Sequence, residues 1–500
     1  MNEESAFRPA PDIGDVETGA ASSEPGPAHF EAPGSAAHDT TWRTVLALAW
    51  PVLAQQLLIL AVALSDQFLA GHFQPEDPSR HIAYQSAQTT AIYLSWLVNS
   101  YTVLVTVGST ALVARFIGAR DPASASDVTG QSIVLGAILG VAGTVAGLVG
   151  LRTLIELLEL RGYAGELAVG YLEPLIVLLV FQVVETAGNA CLVGAGDTRT
   201  GLWVLGGVAI INLPLAWGLF LGVGPFPALG FAGIALGTAL SHLLGCVVIL
   251  VVLVRGRAGL RLTWRGLAPS WSLLRRLLRI SVPAGIDSLS GVVCQLWFLS
   301  IVNRLGEAAA GAHGIALRIE ALGYLSGAAF GTAAMALVGQ NLGARRPDLA
   351  ARSGWLALRL GCLVMSIMGL LFFALAHQLF AVFCPHAVQR PVVEAGVPVL
   401  QLIAFAMPPL SCTMVLTFAL RGAGDTRVPL LFTWVGFLVV RIPLAYFLAL
   451  EEIDLGFLGV WPGCNLQLFG AWLAMFADIL VRSTFFLVRF ASGRWERIRV

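Results

Sequence analysis

The sequence predicts an all-α integral membrane protein of twelve transmembrane helices, arranged as two six-helix repeats. Three observations carry this. The 500 residues are 57% hydrophobic and only 12% charged, with a mean hydropathy of +0.79, whereas soluble chains are roughly 25% charged. Long apolar runs recur from Val45 almost to Phe490, and about twelve of them reach the roughly 20 residues a bilayer crossing needs. Finally, landmarks in the first half return in the second at offsets of 225 to 232 residues.

Residues 1–41 are rich in Ala, Gly, Pro, Ser and acids. They are expected to be a disordered tail, since they bury too little apolar surface to offset ordering. With no apolar core before Val45, no cleavable signal is expected, and the first span is expected to insert itself. Spans then follow near 44–72, 87–117, 129–154, 168–193, 202–223, 228–254, 277–302, 310–340, 355–384, 394–419, 428–450 and 466–490. Runs this long and unalternating are helices, not barrel strands. The expected domains are a tail (1–41), an N-lobe (42–254), an Arg-rich linker (255–276), a C-lobe (277–490) and a second tail (491–500).

The repeat defines these lobes. TALVARFIGARDPASA (110–125) matches MALVGQNLGARRPDLA (335–350) at eight of 16 positions. GAGDTR stands at 194–199 and 422–427, INLPLAW (211–217) answers VRIPLAY (440–446), and Pro51 answers Pro283. An even number of spans in each half makes the repeats parallel, related by an axis along the membrane normal, with a site between them near the midplane.

A formal net charge of zero conceals an asymmetry. All 30 basic residues are Arg, and seven fall between Arg255 and Arg279 without an acid. Arg345, Arg346, Arg352, Arg494, Arg497 and Arg499 lie on the same side, while Glu76–Asp77, Glu156–Glu166 and Glu451–Asp454 lie on the other. The positive-inside rule therefore places both termini and the linker in the cytoplasm, the chain spanning the cell inner membrane many times.

Seven Cys show no metal spacing and read as small apolar residues. Cys384 and Cys464 fall on the outer side, where a disulfide between them is an open alternative. The chain has no HExxH, no nucleophile elbow, no P-loop and no metal-spaced His. It is expected to be no enzyme, with no metal, no cofactor beyond a coupling ion, no ATPase subunit and no nucleic-acid partner. His242 and His313 read as packing or hydrogen-bonding residues.

Charge inside the spans is the functional signal, because it costs about 2.5–3.5 kcal/mol on insertion scales. Asp66 closes the first apolar run and lies about 33 Å along its helix, in the outer half of the N-lobe. Glu185, within ETAGN, is a second acid. The C-lobe carries Asp287, Arg318, Glu320, Arg441 and Asp478. A buried Arg441 needs a carboxylate, for which Glu320 and Asp478 are candidates, and a structural ion pair is preferred to a transport role. The two GAGDTR segments lack the Lys-Ser/Thr of a phosphate loop and read as tight turns, in which Gly takes positive φ and Asp caps the next helix.

Pro then acid in span one, LVxxxxGA after span two, GxGDTR after span four, and the same set again resemble the multidrug and toxic compound extrusion (MATE) family over about residues 44–490. LVGQNLGARRPDLA (337–350), LRGAGDTRVP (420–429), RIE (318–320) and RIPLAY (441–446) resemble its bacterial DinF-like branch. The resemblance implies a central cavity with alternating access and export of organic, often cationic, compounds against inflow of H⁺ or Na⁺. It also implies small organic substrates and membrane lipids as partners, a monomer, and Asp66 as the coupling acid.

On the same resemblance, Asn212 and Thr238 stand beside Asp66 in the Na⁺-associated pattern, but the second acid of that pattern is here Ala216. With one carboxylate fewer the set suits H⁺ better than Na⁺, unless Glu185 supplies the missing group. Gly291 stands where another branch has a span-seven Glu, and Phe298 answers to Asp66 in the repeat. Gln55, Gln56, Tyr93, Trp96, Asn99, Gln295, Trp297 and Met335 are expected on the cavity walls. The alternative activity, a lipid or lipid-linked oligosaccharide flippase, requires an Arg-rich cavity, for which Arg304, Arg318 and Arg441 are the candidates.

Overall fold

The computed structural model describes residues 41–72, 78–157, 163–384, 389–454 and 459–498. The expected disordered tail therefore lies almost wholly outside the described residues. Among the described residues, seven α-helices form the six spans of the N-lobe, α1 (Trp42–His72), α2 (Pro78–Gly118), α3 (Pro122–Leu157), α4 (Tyr163–Val177) with α5 (Leu179–Gly194), α6 (Thr198–Leu221) and α7 (Phe231–Arg255). The C-lobe follows with α8 (Trp271–Asn303), α9 (Glu307–Gly343), α10 (Pro347–Ala374) with α11 (Ala376–Phe383), α12 (Arg390–Gly422), α13 (Arg427–Trp434), α14 (Ile442–Ala449) and α15 (Gln467–Ala491). Among the described residues, eleven helical spans are long and apolar enough to cross a bilayer, and the α4–α5 pair, bent by 52°, makes twelve when taken as one span. We call the side holding the start of α1 and the end of α15 the terminal face.

The breaks follow from proline. Pro174 inside α4 withholds the N–H that would hold the preceding turn, and the span bends four residues on at Leu178. Pro443 withholds the bond back to Val439, and the chain widens into a π-helix over Val435–Arg441 before resuming as α14. One departure from the all-α expectation is a two-stranded antiparallel hairpin, Glu452–Asp454 against Val460–Pro462, on the face opposite the termini. The linker is also shorter than expected, because α8 already begins at Trp271. What remains is clamped to α3: Gln131 donates to the carbonyls of Gly266 (2.8 Å) and Ala268 (2.7 Å) and accepts from the Ser270 amide (2.8 Å).

The duplication is visible in the backbone. Arg120 and Arg345, 225 positions apart, both take φ of 58° at the ends of α2 and α9, an uncommon state for a residue with a side chain. Gly196 and Gly424 take 87° and 84° in the two GAGDTR turns. The turns differ in their acid. Asp197 caps α6 as expected, accepting from the Thr200 amide at 3.0 Å. Asp425 caps nothing and instead binds Arg489 of α15 at 2.7 Å.

The lobes close on one another at the terminal face. A Cβ on Gly118 would collide with the Gln340 carbonyl, and one on Gly343 with the Arg115 carbonyl. Within each lobe the duplication repeats a second close approach, Gly194 on Thr110 in the N-lobe and Gly422 on Met335 in the C-lobe. Gln340 donates to the Gly194 carbonyl and Arg115 to the Ala423 carbonyl, both at 2.9 Å. Val45, Leu48 and Ala49 of α1 are buried with Ala333, Ala334 and Leu337 of α9. Halfway up, Gly108 donates its amide to Ser281 Oγ at 2.9 Å. Beyond the Ser288–Ser100 bond (3.2 Å), Val293, Leu296 and Trp297 of α8 are exposed.

Candidate ion-coupling site and the opposing charged wall

Asp66 sits on the outer half of α1, held against α6 by its neighbours. Trp217 donates to Ser65 Oγ at 3.0 Å and stacks on Phe68 with ring centroids 6.1 Å apart. The Asp66 carboxylate is buried, and its Oδ1 carries no hydrogen bond among the described residues. Tyr171 of α4, packed on Phe231 at 4.7 Å, lies within its electrostatic reach. Leaving a carboxylate oxygen unpaired away from water is expensive, so this position suits a group that takes up a cation.

Asn212 donates to Thr238 Oγ1 at 2.9 Å, and Thr238 donates to the Ile234 carbonyl at 3.2 Å. Asn212 Oδ1 is buried and unpartnered among the described residues. Ala216, the position lacking the second acid, is packed against Gly237, where a Cβ would lie 2.8 Å from the Ala216 Cα. Helix packing fills that place.

Glu185 is fully buried in α5 and binds His242 Nδ1 of α7 at 2.7 Å, one turn along from Thr238. Gly245 leaves the room this carboxylate needs, since a Cβ there would strike Glu185 Oε1. The partner of Glu185 is thus His242, an association that scattered His positions in the sequence did not signal. From the opposite face inward, α1, α6, α7 and α5 present Asp66, Asn212–Thr238 and then His242–Glu185. The metal-type clustering of three or more His, Cys, Asp or Glu does not occur among the described residues.

The C-lobe counterpart is basic and saturated. Arg441, at the end of the π-helix and aligned by the repeat with Asn212, binds Asp478 at 2.7 Å and donates to Gln295 Oε1 at 2.9 Å. Arg482 binds the same carboxylate through two nitrogens, each at 2.7 Å. The two guanidiniums lie over Phe437, 4.5 and 4.6 Å from the ring centre, and Gly436 leaves space for Asp478 and Arg482. Of the two candidates for Arg441, Asp478 is therefore the partner, while half-buried Glu320 lies within its electrostatic reach. Arg318 is exposed and does not belong with the buried charges, a correction to the sequence reading. A second ion pair, Arg421 with Asp287 at 2.6 Å, was not anticipated. Phe298, the repeat equivalent of Asp66, is buried with Arg441 5.9 Å from its ring centre.

Of the expected lining residues, Gln295 faces Arg441, and Trp297 is exposed and donates to Tyr446 at 3.2 Å. Gln55 is buried and bonds the Thr198 carbonyl at 3.2 Å, tying α1 to α6. Gln56 is half-buried. Met335 is a correction: it is 3% exposed and packed where the lobes meet, so it lines nothing open in this conformation. Tyr93, Trp96 and Asn99 have side chains outside the described residues. All seven Cys are free, and Cys384 is buried while Cys464 is exposed.

Two parallel six-span lobes, closed at one face and carrying a buried carboxylate with an unpaired oxygen on the outer half of α1, define the architecture of a two-lobe membrane transporter. The MatE family model matches residues 51–217 and 283–447, one block in each lobe. The chain belongs to the MatE family. It is 26% identical over 463 residues to a probable multidrug resistance protein NorM of Thermotoga maritima, covering 91% of this chain and 93% of that one. A MOP superfamily transporter from Pyrococcus furiosus, described as having a binding pocket of reversed polarity, superposes with a TM-score of 0.82 at 21% identity over 93% of this chain and 99% of that one. A multidrug resistance MATE family transporter in an outward-facing conformation gives 0.80 at 21% identity, covering 91% and 96%. At these identities the two solved structures bear on the fold alone.

Proposed function

We propose that this protein is a cation-coupled antiporter that exports organic compounds by alternating access, with Asp66 as the group whose occupancy by H⁺ or Na⁺ changes in each cycle. The observation that carries this is the unpaired, buried Asp66 oxygen on the outer half of α1. The multidrug resistance names of the relatives support the substrate class. The Arg-rich linker supports a cytoplasmic terminal face in an inner membrane, which makes this conformation outward-facing, and the lobes complete the pathway within one monomer.

The coupling ion is taken to be H⁺, because helix packing at Ala216 excludes a second carboxylate and leaves too few hard ligands for Na⁺. One charge moving down 100 mV releases about 2.3 kcal/mol, which supports roughly a fifty-fold gradient of a neutral solute. A flippase is disfavoured, since Arg441, the one buried arginine of its three candidates, is committed to Asp478, and only exposed Arg304 and Arg318 stand without a carboxylate among the described residues.

The test is efflux of a fluorescent organic cation from vesicles with ΔpH and ΔNa⁺ imposed separately. Asp66→Asn is expected to abolish coupled efflux while the protein inserts and melts normally. Normal transport by this variant under both gradients overturns the assignment, and a Na⁺ requirement at fixed pH overturns the choice of ion.

A further inference from the structure

At the terminal face a groove of about 430 Å³ lies between α1 and α10, lined by Thr41, Trp42, Arg352, Trp355, Leu356 and Arg359. It sits on the seam between the lobes, because α1 belongs to the first repeat and α10 to the second. Arg352 and Arg359 are two turns apart on one face of α10, about 10.5 Å along the axis. Both are exposed, and neither forms an ion pair with a carboxylate among the described residues. Arg359 belongs to the apolar span Pro347–Ala374, where an uncompensated charge is costly unless it reaches the headgroup layer or meets an anion there. The other wall is the first turn of a 31-residue helix, whose dipole also favours an anion.

The remaining lining gives the anion an apolar body. Trp42 is 53% exposed at the mouth, and Trp355 is fixed from behind by Phe490 at 5.2 Å. From Arg359, the same stripe of α10 continues at four-residue steps through exposed Leu363, Ile367 and Leu371, a track for an acyl chain. Free phosphate accounts for the arginines but not for this track.

We infer that this groove is a binding site for the phosphate headgroup of an anionic phospholipid, which wedges the lobe seam and holds the terminal face shut. The groove needs α1 and α10 side by side. A lipid bound there therefore favours the closed terminal face by its difference in affinity between the two states. This second clause rests on the alternating-access reading above, but the binding itself does not.

The experiment uses the full chain in nanodiscs of phosphatidylcholine with 0 or 30% phosphatidylglycerol, and native mass spectrometry counts retained lipid. One retained phosphatidylglycerol is expected, with a raised melting temperature. At least a tenfold loss of retention is expected in Arg352→Gln/Arg359→Gln, whose helix is otherwise intact by circular dichroism. Equal retention by that variant, or equal retention of phosphatidylcholine, overturns the site. Full displacement by inorganic phosphate overturns the lipid assignment. The acidic segment 1–40, with eight acids and one Arg, is the competing occupant. Phosphatidylglycerol binding that emerges only after deleting it overturns the inference for the full chain. Since retention is read without transport, loss of coupling in the Asp66 test leaves this result standing.

Discussion

Gly118 and Gly343 are equivalent residues of the two repeats, and each lies against the backbone of the other repeat's helix: Gly118 on Gln340, Gly343 on Arg115. The contact is self-complementary, as in a symmetric dimer, although both surfaces belong to one chain. Two absent side chains thus let α2 and α9 cross at the terminal face.

Gly118→Leu and Gly343→Leu are expected to open that face. Overpacking costs about 1–3 kcal/mol, a roughly five- to 150-fold shift away from the closed conformation. Maleimide labelling of a cysteine placed at Ala114, which packs on Gly339, should accelerate accordingly in both variants. Unchanged labelling rates would show that this crossing does not hold the gate.

Asp478 answers two guanidiniums, Arg441 and Arg482, at 2.7 Å each. Asp478→Asn strands a buried Arg441, and removing one partner of a buried pair costs about 3–5 kcal/mol. A large drop in melting temperature, read by tryptophan fluorescence, is expected. Arg482→Gln should cost clearly less, because Arg441 still neutralises the carboxylate.

Much of this was legible in the sequence. The spans, the duplication and the place of Asp66 follow from hydropathy and from repeated GARxP and GAGDTR segments, since a bilayer makes apolar length nearly decisive. What escaped was pairing. Nothing in sequence spacing says that His242 meets Glu185, that Asp287 meets Arg421, or that Asp425 leaves its helix cap for Arg489, because those partners are set by helix rotation and crossing. Met335 was misread for the same reason: its polarity is neutral, and only the closure of α9 on the first lobe decides that it is packed.

The Glu185–His242 contact separates a structural from a proton-handling role. His242→Leu leaves a buried carboxylate alone and should lower the melting temperature, whereas His242→Gln retains a donor and should largely restore it. If the pair carries protons in the transport cycle, His242→Gln should still depress ΔpH-driven efflux; full efflux would assign it to structure.

Asp197 offers a pH test outside the bilayer. Burial works to raise its carboxyl, but hydrogen bonds from Thr200 and the Arg257 guanidinium at 2.7 Å outweigh this and hold it below the usual range. A depressed folded-state value adds stability that is fully present above the unfolded value of about 3.9 and is lost as pH falls through the folded one. Asp197→Asn should therefore be less stable than the parent at pH 7. The difference should shrink as melts are taken at progressively lower pH below about 4; a constant difference would contradict the ion-pair account.

The π-turn that brings Arg441 to the place of Asn212 makes the two halves unequal partners despite their common ancestry. At this place in the repeat the first half holds an unpartnered Asn212 oxygen, with that of Asp66 further along, while the second presents a charge already neutralised and a widened turn that fixes it. Reversing the order of the two halves in an engineered chain would therefore not yield an equivalent machine with its parts exchanged; the unpaired buried carboxylate would simply travel with the first half.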